Sequence, residues 1–81
     1  MRDKMWLVQQ PGTILRARYS PHHGKLALVL TRAYREQKGT TNGLYPPSEY
    51  IDMQWCSTGD RFVELLTNAN NCWDIVSEPA A

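Results

Sequence analysis

Tyr50-Ile51-Asp52-Met53-Gln54-Trp55 is the stretch whose reading decides the fold. Apolar and polar residues alternate through it without a fault. In an extended chain Ile51, Met53 and Trp55 fall on one face, and Tyr50, Asp52 and Gln54 on the other. Strict period two over such a run is the pattern of a strand with one face in a core. Directly behind it, Ser57-Thr58-Gly59-Asp60 supplies the residues of a tight reversal, which predicts a hairpin. We read Tyr50–Trp55 as the central strand of a small barrel and Trp55 as a core residue, not a ligand platform.

Working outward towards the C-terminus, Arg61 to Leu66 is expected as the next strand. A short helical turn near residues 61–70 is the alternative, because Asp60 is a good N-cap and Phe62, Val63, Leu65 and Leu66 also fit one helical face. Thr67 to Asn71 reads as a turn or a single 3₁₀ turn, Cys72 to Ser77 as a last short strand, and Glu78 to Ala81 as a fraying tail. Towards the N-terminus, Arg35 to Ser48 is a long loop rich in turn formers, stiffened by Pro46-Pro47. Lys25 to Tyr34 is a strand whose middle is apolar on both faces, as expected of a bent strand that serves the core and also meets something else. Ser20 to Gly24 is a loop. Thr13 to Tyr19 is the first strand after the Pro11-Gly12 turn; it points Leu15, Ala17 and Tyr19 inward and Arg16 and Arg18 outward. Trp6-Leu7-Val8 is either an extra edge strand or a lid over one mouth.

These elements exhaust the chain. Its 81 residues hold one domain over 1–81 with a core of about 11–77, and an all-β, five-stranded architecture. A chain this short buries only about 60–65% of its unfolded surface. Three Trp, four Tyr and one Phe supply large buried area for the size and argue against a disordered peptide. No apolar run approaches the roughly 18–20 residues of a membrane span. Met1 to Gln10 lacks an apolar h-region, so a signal peptide is not expected and a reducing cytoplasm is the default compartment.

Net charge is +1 but unevenly spread. Residues 1–38 carry eight Lys/Arg against Asp3 and Glu36, a balance of +6; residues 39–81 carry Arg61 against Glu49, Asp52, Asp60, Glu64, Asp74 and Glu78, a balance of −5. Either the basic half meets a polyanion, or the two halves attract each other within one fold.

Four groupings bear on function. Cys56 and Cys72 bridge only if their Cα atoms come within about 7 Å, and two reduced, partly buried thiols are the expectation. With His22 and His23 they make up a Cys₂His₂ count, but adjacent histidines and cysteines sixteen positions apart lack zinc-site spacing; exposed loop histidines, and no metal, are expected. A thiol with a loop histidine, or Asp52 with Glu64, can be drawn as catalytic pairs, yet no spacing selects them, so neither an enzyme nor a cofactor nor a small-molecule substrate is expected. Arg16, Arg18, Arg32, Arg35 and Lys38, with Tyr34 among them, offer the guanidinium forks and aromatic plane that nucleic-acid binding uses, unless Asp52, Glu64 or Asp74 pairs with them instead. Leu44, Tyr45, Pro46, Pro47 and Tyr50 offer an amphipathic surface of the kind protein interfaces favour.

The strand pattern resembles the small SH3-like β-barrel proteins of bacteriophage and prophage genomes. The matching stretches are Pro11-Gly12-Thr13-Ile14-Leu15, Leu26 to Leu30, Ile51 to Trp55 with Gly59, and Trp73-Asp74-Ile75-Val76-Ser77. The Arg35–Ser48 loop is longer than compact members need. The resemblance implies an architecture shared by many functions, and a phage-encoded protein of the host cytoplasm or the virion. The expectation is a non-catalytic module binding a protein partner through residues 35–50 and adjacent strands, with self-association through strand edges also open. RNA or DNA binding through the Arg16/Arg18/Arg32 face is the alternative, and no membrane is involved.

Overall fold

The computed structural model describes residues 3–36 and 48–79. In chain order the elements are α1 (Lys4–Leu7), β1 (Ile14–Ala17), β2 (Leu26–Val29), β3 (Tyr34–Glu36), β4 (Ser48–Trp55), β5 (Arg61–Leu65), α2 (Leu66–Cys72) and β6 (Trp73–Ser77). The strands form one antiparallel sheet with little helix beside it.

β4 organises the sheet. Its alternation places Ile51 and Met53 fully inside and turns Asp52 and Gln54 outward. One edge of β4 pairs with β5, from Tyr50↔Leu65 to Gln54↔Arg61. The other edge is shared end to end by β2, which pairs with Met53–Trp55, and β3, which pairs with Ser48–Tyr50. The strand expected over Lys25–Tyr34 is therefore two strands. After Leu30 N–H donates to the Asp52 carbonyl, the Thr31 hydroxyl accepts the Asp52 N–H in place of a backbone carbonyl, and the main chain leaves the ladder until Tyr34. β1 pairs with β2 and with β6; a bulge opposite Ile14/Leu15 accommodates Val76.

The sheet's inner face carries Leu15, Ala17, Ala27, Val29, Ile51, Met53 and Trp73, closed by Val8, Leu66 and Ala69. β5 and β6 lie at the two ends of the strand order, yet Phe62 and Trp73 stack with ring centroids 6.1 Å apart, so the sheet is strongly curled. Trp55 packs on this cluster, 4.6 Å from Phe62 and 5.7 Å from Trp73, and is itself half-buried.

Several expectations change. Trp6-Leu7-Val8 is no strand: Lys4–Leu7 is one helical turn, with Leu7 N–H donating to Asp3 and Val8 N–H to Lys4. Leu7 and Val8 are buried beneath it, and the Thr13 hydroxyl donates to the Leu7 carbonyl at 2.9 Å, so the segment is a lid. Arg61–Leu65 is a strand and not a helix, because the free edge of β4 takes it in register. The helical turn allowed near residues 61–70 lies at its far end: Leu66–Cys72, read as a strand end, a turn or single 3₁₀ turn, and a strand start, is α2, which buries Leu66 and Ala69 three residues apart on the core. The tail is held at least as far as Pro79, close to Gly12, where an added Cβ would lie 3.4 Å from Pro79 Cβ. The expected β4–β5 reversal is present, with Gly59 at φ +80° and its N–H donating to the Trp55 carbonyl.

Candidate functional site

The arginine cluster is divided by the topology. β1 and β2 are antiparallel with Arg16 opposite Leu26, so Arg32 lies beyond the far end of that ladder. Arg16 stands instead opposite Asp74 of β6. Arg18 Nε is 3.2 Å from Asp74 Oδ1, Arg16 Nη2 is 3.9 Å from Asp74 Oδ2, and Arg18 also donates to the Asn71 carbonyl. The sequence halves thus pair across the β1–β6 ladder. Arg32 and Arg35 are exposed on the β3 side of the sheet, where Arg35 stands opposite Glu49. Lys38 lies outside the described residues.

Cys56 is exposed, contrary to the expected partial burial, whereas Cys72 is half-buried at the end of α2; both thiols are free. Of the two loop histidines only His23 is exposed. His22 packs its ring 4.8 Å from Trp55 and 5.6 Å from Tyr19, and its Nδ1 is buried with no hydrogen-bond partner among the described residues. Among the described residues no group of three His, Cys, Asp or Glu is placed to hold a metal.

Asp52 and Glu64 do not form a carboxylate pair. Ile51 stands opposite Glu64 and Asp52 opposite Val63, so the two acids project from opposite faces of the sheet. Glu64 faces inward: Trp73 Nε1–H donates to its Oε2 at 3.2 Å, while Leu65 N–H (2.9 Å) and Asn68 (3.3 Å) donate to its Oε1. Burial, then the charges of Glu64 and Cys72, push the Tyr19 hydroxyl above its ordinary pKa beside this carboxylate. Asp52 faces outward and accepts a 2.6 Å hydrogen bond from the Tyr34 hydroxyl. That bond, with smaller contributions from burial and nearby charge, pushes Tyr34 up to about 12.

Asp52 also lines an open groove of about 470 Å³ bounded by Leu30, Thr31, Arg61, Phe62 and Val63. A second groove, about 390 Å³, runs along Arg35, Ser48, Glu49, Leu65, Leu66 and Thr67. Between them stands the foot of the 35–50 segment, where the Tyr34 and Tyr50 rings lie 6.3 Å apart. Of the residues read as protein-binding, Tyr50 is therefore placed on β4, while Leu44, Tyr45, Pro46 and Pro47 lie outside the described residues. Reading the sequence missed Arg61 and Val63 as surface residues of interest. The signal available was the two-faced apolar run Leu26–Leu30, which required something on the outer side.

No family model matches this chain, and neither a curated protein nor a solved structure matches it. No helix among the described residues is long and apolar enough to cross a membrane.

Proposed function

We propose that this chain is a non-catalytic interaction module, built as a small SH3-like barrel of phage origin, that binds a protein partner through residues 35–50 and the strands beside them. The observation that carries this reading is the pair of open grooves flanking the foot of that segment. Each mixes apolar side chains with charged ones, the composition that suits a protein surface.

The competing chemistries find less support. Cys56 is exposed and Asp52 lies on the face opposite Glu64, while Glu64, which lines one small cleft with Cys72 and Tyr19, already accepts three hydrogen bonds. The nucleic-acid reading loses its best residues, because Arg16 and Arg18 are drawn to Asp74.

Partner capture from the native host, using the wild-type chain and a Leu44→Ser/Tyr45→Ser variant, tests the proposal. One protein should be retained by the wild type and lost from the variant, with the thermal transition nearly unchanged. A large fall in thermal stability would place these side chains in the core. A labelled oligonucleotide retained at low salt, with no protein retained, would replace this reading by the nucleic-acid one.

A further inference from the structure

Among the described residues the outer edge of β5 is open, and its geometry follows from the β4 register. Trp55 N–H donates to the Asp60 carbonyl, so the 55/60 pair is hydrogen-bonded, and by alternation so are 53/62 and 51/64. Phe62 and Glu64 therefore turn their N–H and C=O towards β4. Arg61, Val63 and Leu65 turn theirs away, to a side where no strand pairs among the described residues. At Leu65 this edge is closed: its N–H is taken by Glu64 Oε1, and its carbonyl begins the ladder of α2. At Arg61 and Val63 it is open, each offering one donor and one acceptor.

The side chains there are equally uncommitted. Val63 is 47% exposed. Arg61 is exposed, stands across from the neutral Gln54, and makes no ion pair among the described residues. Both border the groove of about 470 Å³. Sheet edges of this kind accept an extended chain, whose backbone supplies the affinity and whose alternate side chains supply the specificity.

We infer that β5 receives an added strand: an extended segment of a partner protein that places an acidic side chain beside Arg61 and, two residues away, an apolar one beside Val63. The acid is required because an unneutralised arginine at the pairing position favours opposite charge across the strands. A second copy of this chain fits poorly. Centred on Val63, it would set Arg61 opposite Leu65, which brings no acid and whose edge groups are already bonded. The inference rests on the protein-binding reading and adds its site and the chemistry of its ligand.

The test is selection of short random linear peptides on the full chain, followed by synthesis of the enriched sequence. The expected peptide carries an acidic residue two positions from an apolar one, and its binding slows amide exchange at Arg61 and Val63. N-methylation of alternate peptide amides should abolish binding, while methylation of the intervening ones leaves it intact. Arg61→Glu, which alters an exposed side chain, should weaken binding about tenfold or more with an unchanged melting temperature, and a lysine in place of the peptide's acid should restore it. Enriched peptides that leave exchange at Arg61 and Val63 unchanged and instead perturb Tyr34 and Tyr50 would overturn the edge site and keep the module. Retention of an oligonucleotide with no peptide enriched would overturn both. A mass that doubles with concentration, with no peptide enriched, would assign the edge to a second copy and also overturn the inference.

Discussion

Two carboxylates, Asp52 and Glu64, which no spacing in the sequence selects for chemistry, show how position decides a residue's role. Glu64 holds three donors on the inner face, including the indole N–H of Trp73, whose side chain is fully buried. A buried donor left without an acceptor costs about 1–3 kcal/mol, so Glu64 is a structural hub. Asp52 instead anchors Tyr34 at the groove, and this predicts a pH dependence. The phenol can donate to Asp52 only while protonated; folding raises its pKa from 10.0 to about 12. The stabilisation is therefore complete below pH 10 and is lost as pH rises towards about 12. Denaturant midpoints of wild type and Tyr34→Phe should differ at neutral pH and converge over that window. An unchanged difference above it would show that the hydroxyl does not donate to Asp52.

The β4–β5 hairpin is the element most open to a single change. Gly59 sits at φ +80°, where a side chain costs about 1–2 kcal/mol, while an added Cβ would make only an ordinary contact, 3.4 Å from Gln54 Nε2. Gly59→Ala should lower the urea midpoint by that amount of stability with the denaturant slope unchanged; no loss would mean the turn can adopt another conformation. α2 shows the opposite relation of sequence to element. Five of its seven residues, Thr67, Asn68, Asn70, Asn71 and Cys72, are poor helix formers, in a piece too short to persist alone. Leu66 and Ala69 hold it through the core, so local propensity pointed to a turn while packing made a helix.

At the scale of the molecule, the uneven charge of the two halves is resolved internally where β6 returns beside β1. Asp74 meets Arg16 and Arg18 there, setting one carboxylate against two guanidinium groups of the basic half. Each such exposed pair adds at most about 1 kcal/mol to stability, so its larger effect is on what the face attracts. Asp74→Asn should free Arg16, leave Arg18 held by the Asn71 carbonyl alone, raise low-salt affinity for a single-stranded oligonucleotide several-fold and steepen the salt dependence by about one phosphate contact. Equal binding by wild type and variant would show that Asp74 does not occupy the arginines.

The alternation in Tyr50–Trp55, the inward set of Leu15, Ala17 and Tyr19, and the glycine turn at Gly59 were legible in the sequence. Each is a local property of consecutive residues: a side-chain period of two, or a backbone angle that favours one residue type. That was enough to establish a mostly β chain and which faces of two strands are buried. The end of β2 at Val29, the helicity of Leu66–Cys72, the burial of His22 and the separation of Asp52 from Glu64 were not legible in this way. Nor were the capture of Arg16 and Arg18 by Asp74 and the bare edge at Arg61 and Val63. All of these depend on which distant segment lies alongside, and strand pairing between residues far apart in the chain leaves no periodic mark on either partner. The sequence alone therefore specified the strands' faces, and the tertiary structure decided their neighbours, because a face is set by alternation within one strand and a neighbour by hydrogen bonds between two.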